Sequence, residues 1–185
     1  LLNDDLRFGA WNGFGCLCEN HVHMICEQLG ENIEETRLRE LILSGGKNRY
    51  RDAFLNANKL SLQNYAVKMR QAVDEVNPKL RLGFCACMSS WDIDGDAFAL
   101  SKLLAGNTKP MLRLIGAPYW VAGSAKDHLQ DEVELERMEA SWNQDPEIEL
   151  IAEGDAYPRP RLNCPASYLE GFDTALRASG ALDGI

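Results

Sequence analysis

Three short, almost continuously apolar segments most constrain how this chain can fold. They lie at 81–87, 111–116 and 148–152, each is bounded by turn residues, and amphipathic helical patterns separate them. Strands that are buried on both faces have this composition, and parallel strands need helical crossovers between them. The first residues of the chain have the pattern of the end of a fourth strand. The sequence therefore predicts an α/β fold with a parallel sheet.

Helical spacing fills most of the chain between these segments. The longest helix is predicted over 50–76, where an apolar stripe recurs every three or four residues. Asn77-Pro78 ends it, because a residue before proline avoids the helical region. The other helices are predicted over 21–30, 33–43, 97–105, 126–142 and 166–178. With 185 residues and 45% hydrophobic content, residues 1–185 form one domain, or part of one, with its own core.

The loops after the strands distinguish an open doubly wound sheet from a barrel. No glycine-rich phosphate-binding fingerprint follows any predicted strand, which argues against a dinucleotide-binding sheet. Every strand instead runs into a loop that carries acids, aromatics or both. In (β/α)8 barrels the loops at the carboxyl ends of the strands build the active site. This pattern favours the (β/α)8 TIM barrel.

Composition excludes several classes of protein. The net charge of −9, with no basic cluster, argues against nucleic-acid binding. No apolar run approaches the roughly 20 residues that span a bilayer. Six cysteines are too few for a disulfide scaffold, so free thiols in a reducing, cytoplasmic compartment are favoured. The first residues read as the interior of a longer protein, so we expect that the native N-terminus is missing.

Acids and aromatics at the predicted strand ends form a set suited to glycoside cleavage. One carboxylic acid protonates the leaving oxygen, while a second carboxylate attacks the sugar or activates water. Aromatic rings supply flat platforms for sugars. The catalytic candidates are Asp4, Asp5 and Glu153, and the candidates for substrate binding are Trp91, Asp92, Tyr119, Trp120, Asp155, Tyr157 and Arg159.

Glu153 is the sharpest single candidate, because it directly follows an apolar run and would project from a rigid strand end. The alternative is a surface glutamate paired with an arginine such as Arg159. Arg113 lies inside an apolar strand, where it cannot be left unpaired. We expect Arg113 to pair with a strand-end carboxylate and to help hold Glu153 ionised.

Cys16, Cys18 and His21 form a Cys-x-Cys-x-x-His motif. Thiolates and imidazole are suitable zinc ligands, and a structural site needs four. Three are in view, and His23 or Cys26 could supply the fourth. The alternative is a buried loop with two free thiols and a histidine at the start of a helix.

In order and spacing, the chain resembles the later half of barrels of the β-galactosidase type (glycoside hydrolase family 42 and its relatives). Members of that family carry an acid/base at the end of the fourth strand, then a Cys-x-Cys-x-x-Cys loop and two helices, and a nucleophilic glutamate at the end of the seventh strand. Here these positions hold Asn3-Asp4-Asp5, the loop over 15–21, and Ile151-Ala152-Glu153-Gly154-Asp155. The resemblance covers nearly the whole chain, from strand four to the start of strand eight.

The resemblance implies a retaining mechanism with Glu153 as nucleophile, Asp5 as acid/base and Asp4 at the family's asparagine position. It implies no cofactor for catalysis and a structural zinc in the cysteine loop. Aspartate stands where the family has glutamate, and its shorter side chain would alter the carboxylate separation that sets the stereochemical outcome.

Three functions follow as hypotheses. The leading one is a retaining glycosidase whose partner is a carbohydrate substrate. The second is a non-catalytic carbohydrate-binding or scaffolding barrel, motivated by that aspartate. The third is a metal-dependent hydrolase that uses Asp4, Asp5, Asp92 and Asp155. Because a half barrel has two open sheet edges, we expect a homo-oligomer or the remainder of the barrel to cover them.

Overall fold

A computed structural model of the chain describes residues 1–3, 6, 8, 15–87, 96–116, 129–154 and 166–185. Within these ranges strands and helices alternate along the chain. The strands are β1 (Leu2–Asn3), β2 (Gly83–Cys85), β3 (Met111–Arg113) and β4 (Glu149–Ile151). The helices are α1 (Glu19–Leu29), α2 (Glu35–Leu43), α3 (Arg49–Val76), α4 (Ala97–Ala105), α5 (Leu129–Ser141) and α6 (Ala166–Ser179).

The strands form one parallel sheet in the order β1-β2-β3-β4. Each strand therefore pairs with the next strand along the chain, and the described part of the sheet shows no reversal of strand order. A parallel bridge between Ile151 and Gly184 continues the sheet beyond β4. The prediction of an α/β fold with a parallel sheet is confirmed.

Local capping explains where the helices begin. The Asn48 side chain accepts hydrogen bonds from the backbone N–H groups of Tyr50 and Arg51 at the start of α3. Asp96 accepts one from Ala99 at the start of α4. Asparagine and aspartate favour this position because their side chains satisfy the otherwise unpaired N–H groups of the first turn.

The main core lies between the sheet and α3 and α4. Alternate strand residues face these helices, and Phe84, Leu112 and Leu114 are fully buried there. Leu100 and Leu104 cover them from α4. Each such side chain stabilises the fold by roughly 1.5–3 kcal/mol when buried. The strand residues in between, which include Arg113, face the opposite side of the sheet.

A second core holds α1, α2 and the first half of α3 together. Its fully buried members include Ile25, Leu38 and Ile42, and Phe54 packs among them from α3. The long helix α3 therefore serves both cores, because Leu62 and Ala66, further along it, belong to the sheet core. No helix in the described ranges is long and apolar enough to span a bilayer.

Candidate functional site

The Glu153 carboxylate lies at the carboxyl end of β4 and is paired with Arg113. Its Oε1 atom is 2.8 Å from Arg113 Nη1, and the two side chains are only 11% and 15% exposed. The Gly116 N–H donates to Glu153 Oε2 at 3.2 Å. Arg113 is in register with Ile151, and Glu153 follows two residues later, so both side chains lie on the face turned away from the helices. The expectation that Arg113 pairs with a strand-end carboxylate is confirmed.

Two further glutamates, both on α5, accept hydrogen bonds from backbone N–H groups just beyond the carboxyl ends of β3 and β4. Glu139 Oε2 accepts a hydrogen bond from the Ile115 N–H at 3.0 Å, and Glu136 Oε1 accepts one from the Glu153 N–H at 3.1 Å. Both side chains are fully buried. Residues 126–142 were predicted only as a helix, and a role for these two glutamates was missed. The available signal was their spacing of three, on the face that also carries Val133 and Ala140.

Burial raises the pKa of Glu136 to about 9. The hydrogen bond from the Glu153 N–H opposes this shift, the neighbouring charges of Glu139 and Glu153 add to it, and Arg113 opposes it. Removing a carboxylate from water disfavours its charged form, and nearby negative charges do the same. This shift favours the neutral acid at pH 7.

The remaining candidates for catalysis and substrate binding lie outside the described residues. The set comprises Asp4, Asp5, Trp91, Asp92, Tyr119, Trp120, Asp155, Tyr157 and Arg159. It includes every aspartate of the metal-dependent alternative and the arginine of the alternative pairing for Glu153. Glu153 is thus the member of the predicted catalytic set that the structure describes.

Cys16, Cys18 and His21 come together where the chain enters α1. One ligand atom from each residue lies within 4.8 Å of the others. Cys18 Sγ is 3.2 Å from His21 Nδ1, close to the sulfur–nitrogen separation of about 3.5 Å in a tetrahedral zinc site. The other ring nitrogen, Nε2, is 2.8 Å from Ser61 Oγ. A histidine ligand commonly has such a partner, which fixes the ring and leaves Nδ1 for the metal.

The pKa shifts of Cys18 and His21 favour the forms that bind a metal, whereas the pKa shift of Cys16 opposes its thiolate form. Hydrogen bonding from the His21 backbone N–H, at the start of α1, is the main cause that lowers the pKa of Cys18, whereas burial raises the pKa of Cys16. Burial lowers the pKa of His21, which favours the neutral imidazole. Thiolate and neutral imidazole are the forms that bind zinc.

Neither predicted fourth ligand reaches the cluster. His23 is largely exposed and lies 3.3 Å from Glu27, one turn further along α1. Cys26 Sγ accepts from the Ile33 N–H at 3.4 Å and donates to the Ile33 carbonyl at 3.6 Å. Cys26 therefore ties α1 to the connection with α2. Within the described ranges the cluster has three ligands.

Comparison of the chain with models of protein families, with curated proteins and with solved structures gives no significant match.

Proposed function

We propose that the chain is the part of a (β/α)8 barrel from strand four to the start of strand eight, and that this barrel hydrolyses glycosides with retention. Support comes from the sheet, in which parallel strands follow one another in chain order. The bridge from Ile151 to Gly184 adds a further parallel step in the same direction. Such an order is what a barrel requires.

The observation that carries the catalytic proposal is the ion pair between Glu153 and Arg113. A carboxylate nucleophile must be ionised and held in one orientation. The guanidinium of Arg113 lies 2.8 Å from one carboxylate oxygen of Glu153, and the Gly116 N–H donates to the second, so both oxygens are held in place. Its place at the carboxyl end of a parallel strand, away from the helices, is where barrel enzymes carry catalytic groups.

In this proposal Glu153 attacks the anomeric carbon and Asp5 protonates the leaving oxygen. Water then releases the sugar from the glycosyl-enzyme, with Asp5 acting as base. The substrate is a β-linked or otherwise neutral glycoside, and the aromatic residues of the strand-end loops would bind its apolar faces. No cofactor takes part in these steps.

The test is to replace Glu153 by glutamine in the full native protein and to measure hydrolysis of a panel of aryl glycosides. We expect kcat to fall by at least about 1,000-fold, because an amide cannot form the glycosyl-enzyme. Glu149→Gln is the matched control, since Glu149 lies on the same strand but pairs with Arg81 at its amino end. Glu153→Gln with kcat close to that of the wild type would overturn the assignment.

The panel also tests the non-catalytic alternative, which the aspartate at the acid/base position favours. Saturable binding of glycosides by the wild type, with no product released, would overturn the hydrolase proposal in favour of a carbohydrate-binding barrel. If the panel shows neither binding nor turnover, the hydrolase proposal and the carbohydrate-binding alternative are both overturned.

We further propose that Cys16, Cys18 and His21 hold a structural zinc ion. Zinc would link the loop before α1 to α3 through His21 and its partner Ser61. The fourth ligand would come from outside the described residues or from solvent.

This proposal predicts one bound zinc per wild-type chain and a higher Tm in its presence. Cys18→Ser should abolish stoichiometric binding, and Ser61→Ala should weaken affinity about 10–100-fold. Cys26→Ser is the control, because Cys26 contacts Ile33 instead of the cluster. Metal analysis measures the zinc stoichiometry, and calorimetry measures the affinity and the Tm. Unchanged zinc stoichiometry in Cys18→Ser would contradict the site.

A further inference from the structure

Glu136 is a fully buried acid directly behind the proposed nucleophile. It comes from α5, and its Oε1 accepts the backbone N–H of Glu153 at 3.1 Å. Its second oxygen, Oε2, is buried and has no hydrogen-bond partner among the described residues. A Cβ atom on Gly116 would lie 2.5 Å from Glu136 Cγ, so the absence of a side chain at Gly116 allows this close approach.

Among the described groups that act on Glu136, the negative charges would outnumber the positive ones if every acid were ionised. Within the described part of the chain, the charged groups that act on it are Glu139 on its own helix, Glu153 beyond β4 and Arg113 on β3. Arg113 is engaged with Glu153 at 2.8 Å. The helix α6 contributes apolar side chains to the contact with α5, among them Phe172. A buried carboxylate without a cation is strongly unfavourable, whereas the neutral acid removes that charge.

We propose that Glu136 is a positioning residue that remains a neutral acid and thereby keeps Arg113 paired with Glu153. Its Oε1 holds the backbone at Glu153, and because it carries no charge, Glu136 does not compete with Glu153 for the guanidinium. The raised pKa of Glu136 agrees with this geometry. The consequence for catalysis rests on the proposed function of Glu153, while the protonation of Glu136 and the state of the ion pair do not.

Glu136→Gln tests the proposal, because glutamine keeps the acceptor oxygen but cannot ionise. Infrared spectra at pH 7 should show a protonated-carboxyl band in the wild type that loses intensity in the variant. Glu134→Gln is the control on the same helix, since Glu134 is exposed and pairs with Arg137. A protonated-carboxyl band of equal intensity in Glu136→Gln and in the wild type would overturn the proposal.

Folding stability provides a second measurement that needs no substrate. The pKa of Glu136 rises from 4.5 to about 9, so the wild type loses stability as the pH rises between these values and no further above them. Across that window its folding equilibrium constant should fall, relative to that of Glu136→Gln, by about tenfold per pH unit. Parallel pH dependences of the two proteins would contradict a neutral Glu136.

The ion pair itself can be followed by NMR of the Arg113 guanidinium. In the wild type its signals should shift as the pH passes about 9, because ionised Glu136 then competes for Arg113. The shift should be absent from Glu136→Gln, and its persistence there would overturn the positioning role.

For an active enzyme, the ratio of kcat at pH 9 to kcat at pH 7 should be higher in the variant. A wild type that hydrolyses no glycoside would refute the proposed function alone, since the other readouts still decide the role of Glu136.

Discussion

Arg113 and Glu153 come from neighbouring strands and meet where most of their surface is shielded from water. Breaking such a pair from one side leaves an uncompensated charge, which costs about 3–5 kcal/mol in buried pairs. Replacing both partners by neutral groups of similar size costs far less. Removing one partner should therefore destabilise the folded protein much more than replacing both, whatever chemistry Glu153 performs.

A double-mutant cycle tests this dependence. Arg113→Met should lower the free energy of unfolding by about 3 kcal/mol, and adding Glu153→Gln should recover most of that loss. Denaturant titrations measure both values. Arg81→Met is the control: Arg81 pairs with Glu149 at a more exposed place, where about 1 kcal/mol or less is expected. Additive effects of the two substitutions would show that the charges are not coupled.

Individual site residues differ in how far their sequence revealed them. Cys16, Cys18 and His21 lie within six positions of each other, so the start of α1 brings them together locally. The pairing of Arg113 was predicted because a cation in an apolar strand needs a partner. Glu136 was missed: its contact with the Glu153 N–H depends on how α5 crosses the strand ends, which its own sequence does not specify.

Helix positions followed local signals closely. The helix predicted over 50–76 is α3, Arg49–Val76, and the one predicted over 97–105 matches α4. Caps at Asn48 and Asp96 explain this agreement, because a cap acts within one turn. The helix predicted over 126–142 is described as Leu129–Ser141, and residues 126–128 lie outside the described ranges.

The strands lie where the sequence predicted them, but they are shorter than the predicted apolar segments. The apolar segment at 81–87 yields only Gly83–Cys85 as β2. An apolar run reports burial, which the whole segment from Leu82 to Cys87 has. Ladder length depends instead on where the neighbouring strands overlap. Between β2 and β3 the hydrogen bonds extend to the Ala86 N–H, which donates to the Arg113 carbonyl.

The described residues form three buried clusters, and two of them share the helix α3. The helical core around Leu38 and the sheet core around Leu112 have no buried member in common, and each of these leucines is fully buried. The two cores can therefore differ in local stability, because regions with separate contacts can open separately.

Substitutions in these two cores should destabilise different parts of the protein. Leu38→Ala should accelerate hydrogen exchange in α1, α2 and the first half of α3 while largely sparing β2 to β4. Leu112→Ala should lower the global free energy of unfolding by about 2–5 kcal/mol, as large-to-small changes in cores do. Native-state hydrogen exchange resolves the two patterns. Equal loss of protection in the sheet from both variants would show a single cooperative unit.

By itself, the sequence determined the alternation of strands and helices, the helix caps and the Cys-x-Cys-x-x-His motif, since each depends on residues within a few positions of one another. Only the tertiary structure decided the order of the strands in the sheet, which carboxylate pairs with Arg113, and the burial of Glu136 and Glu139. Those features join segments far apart in the chain, and their energies come from the removal of water around groups that meet only after packing.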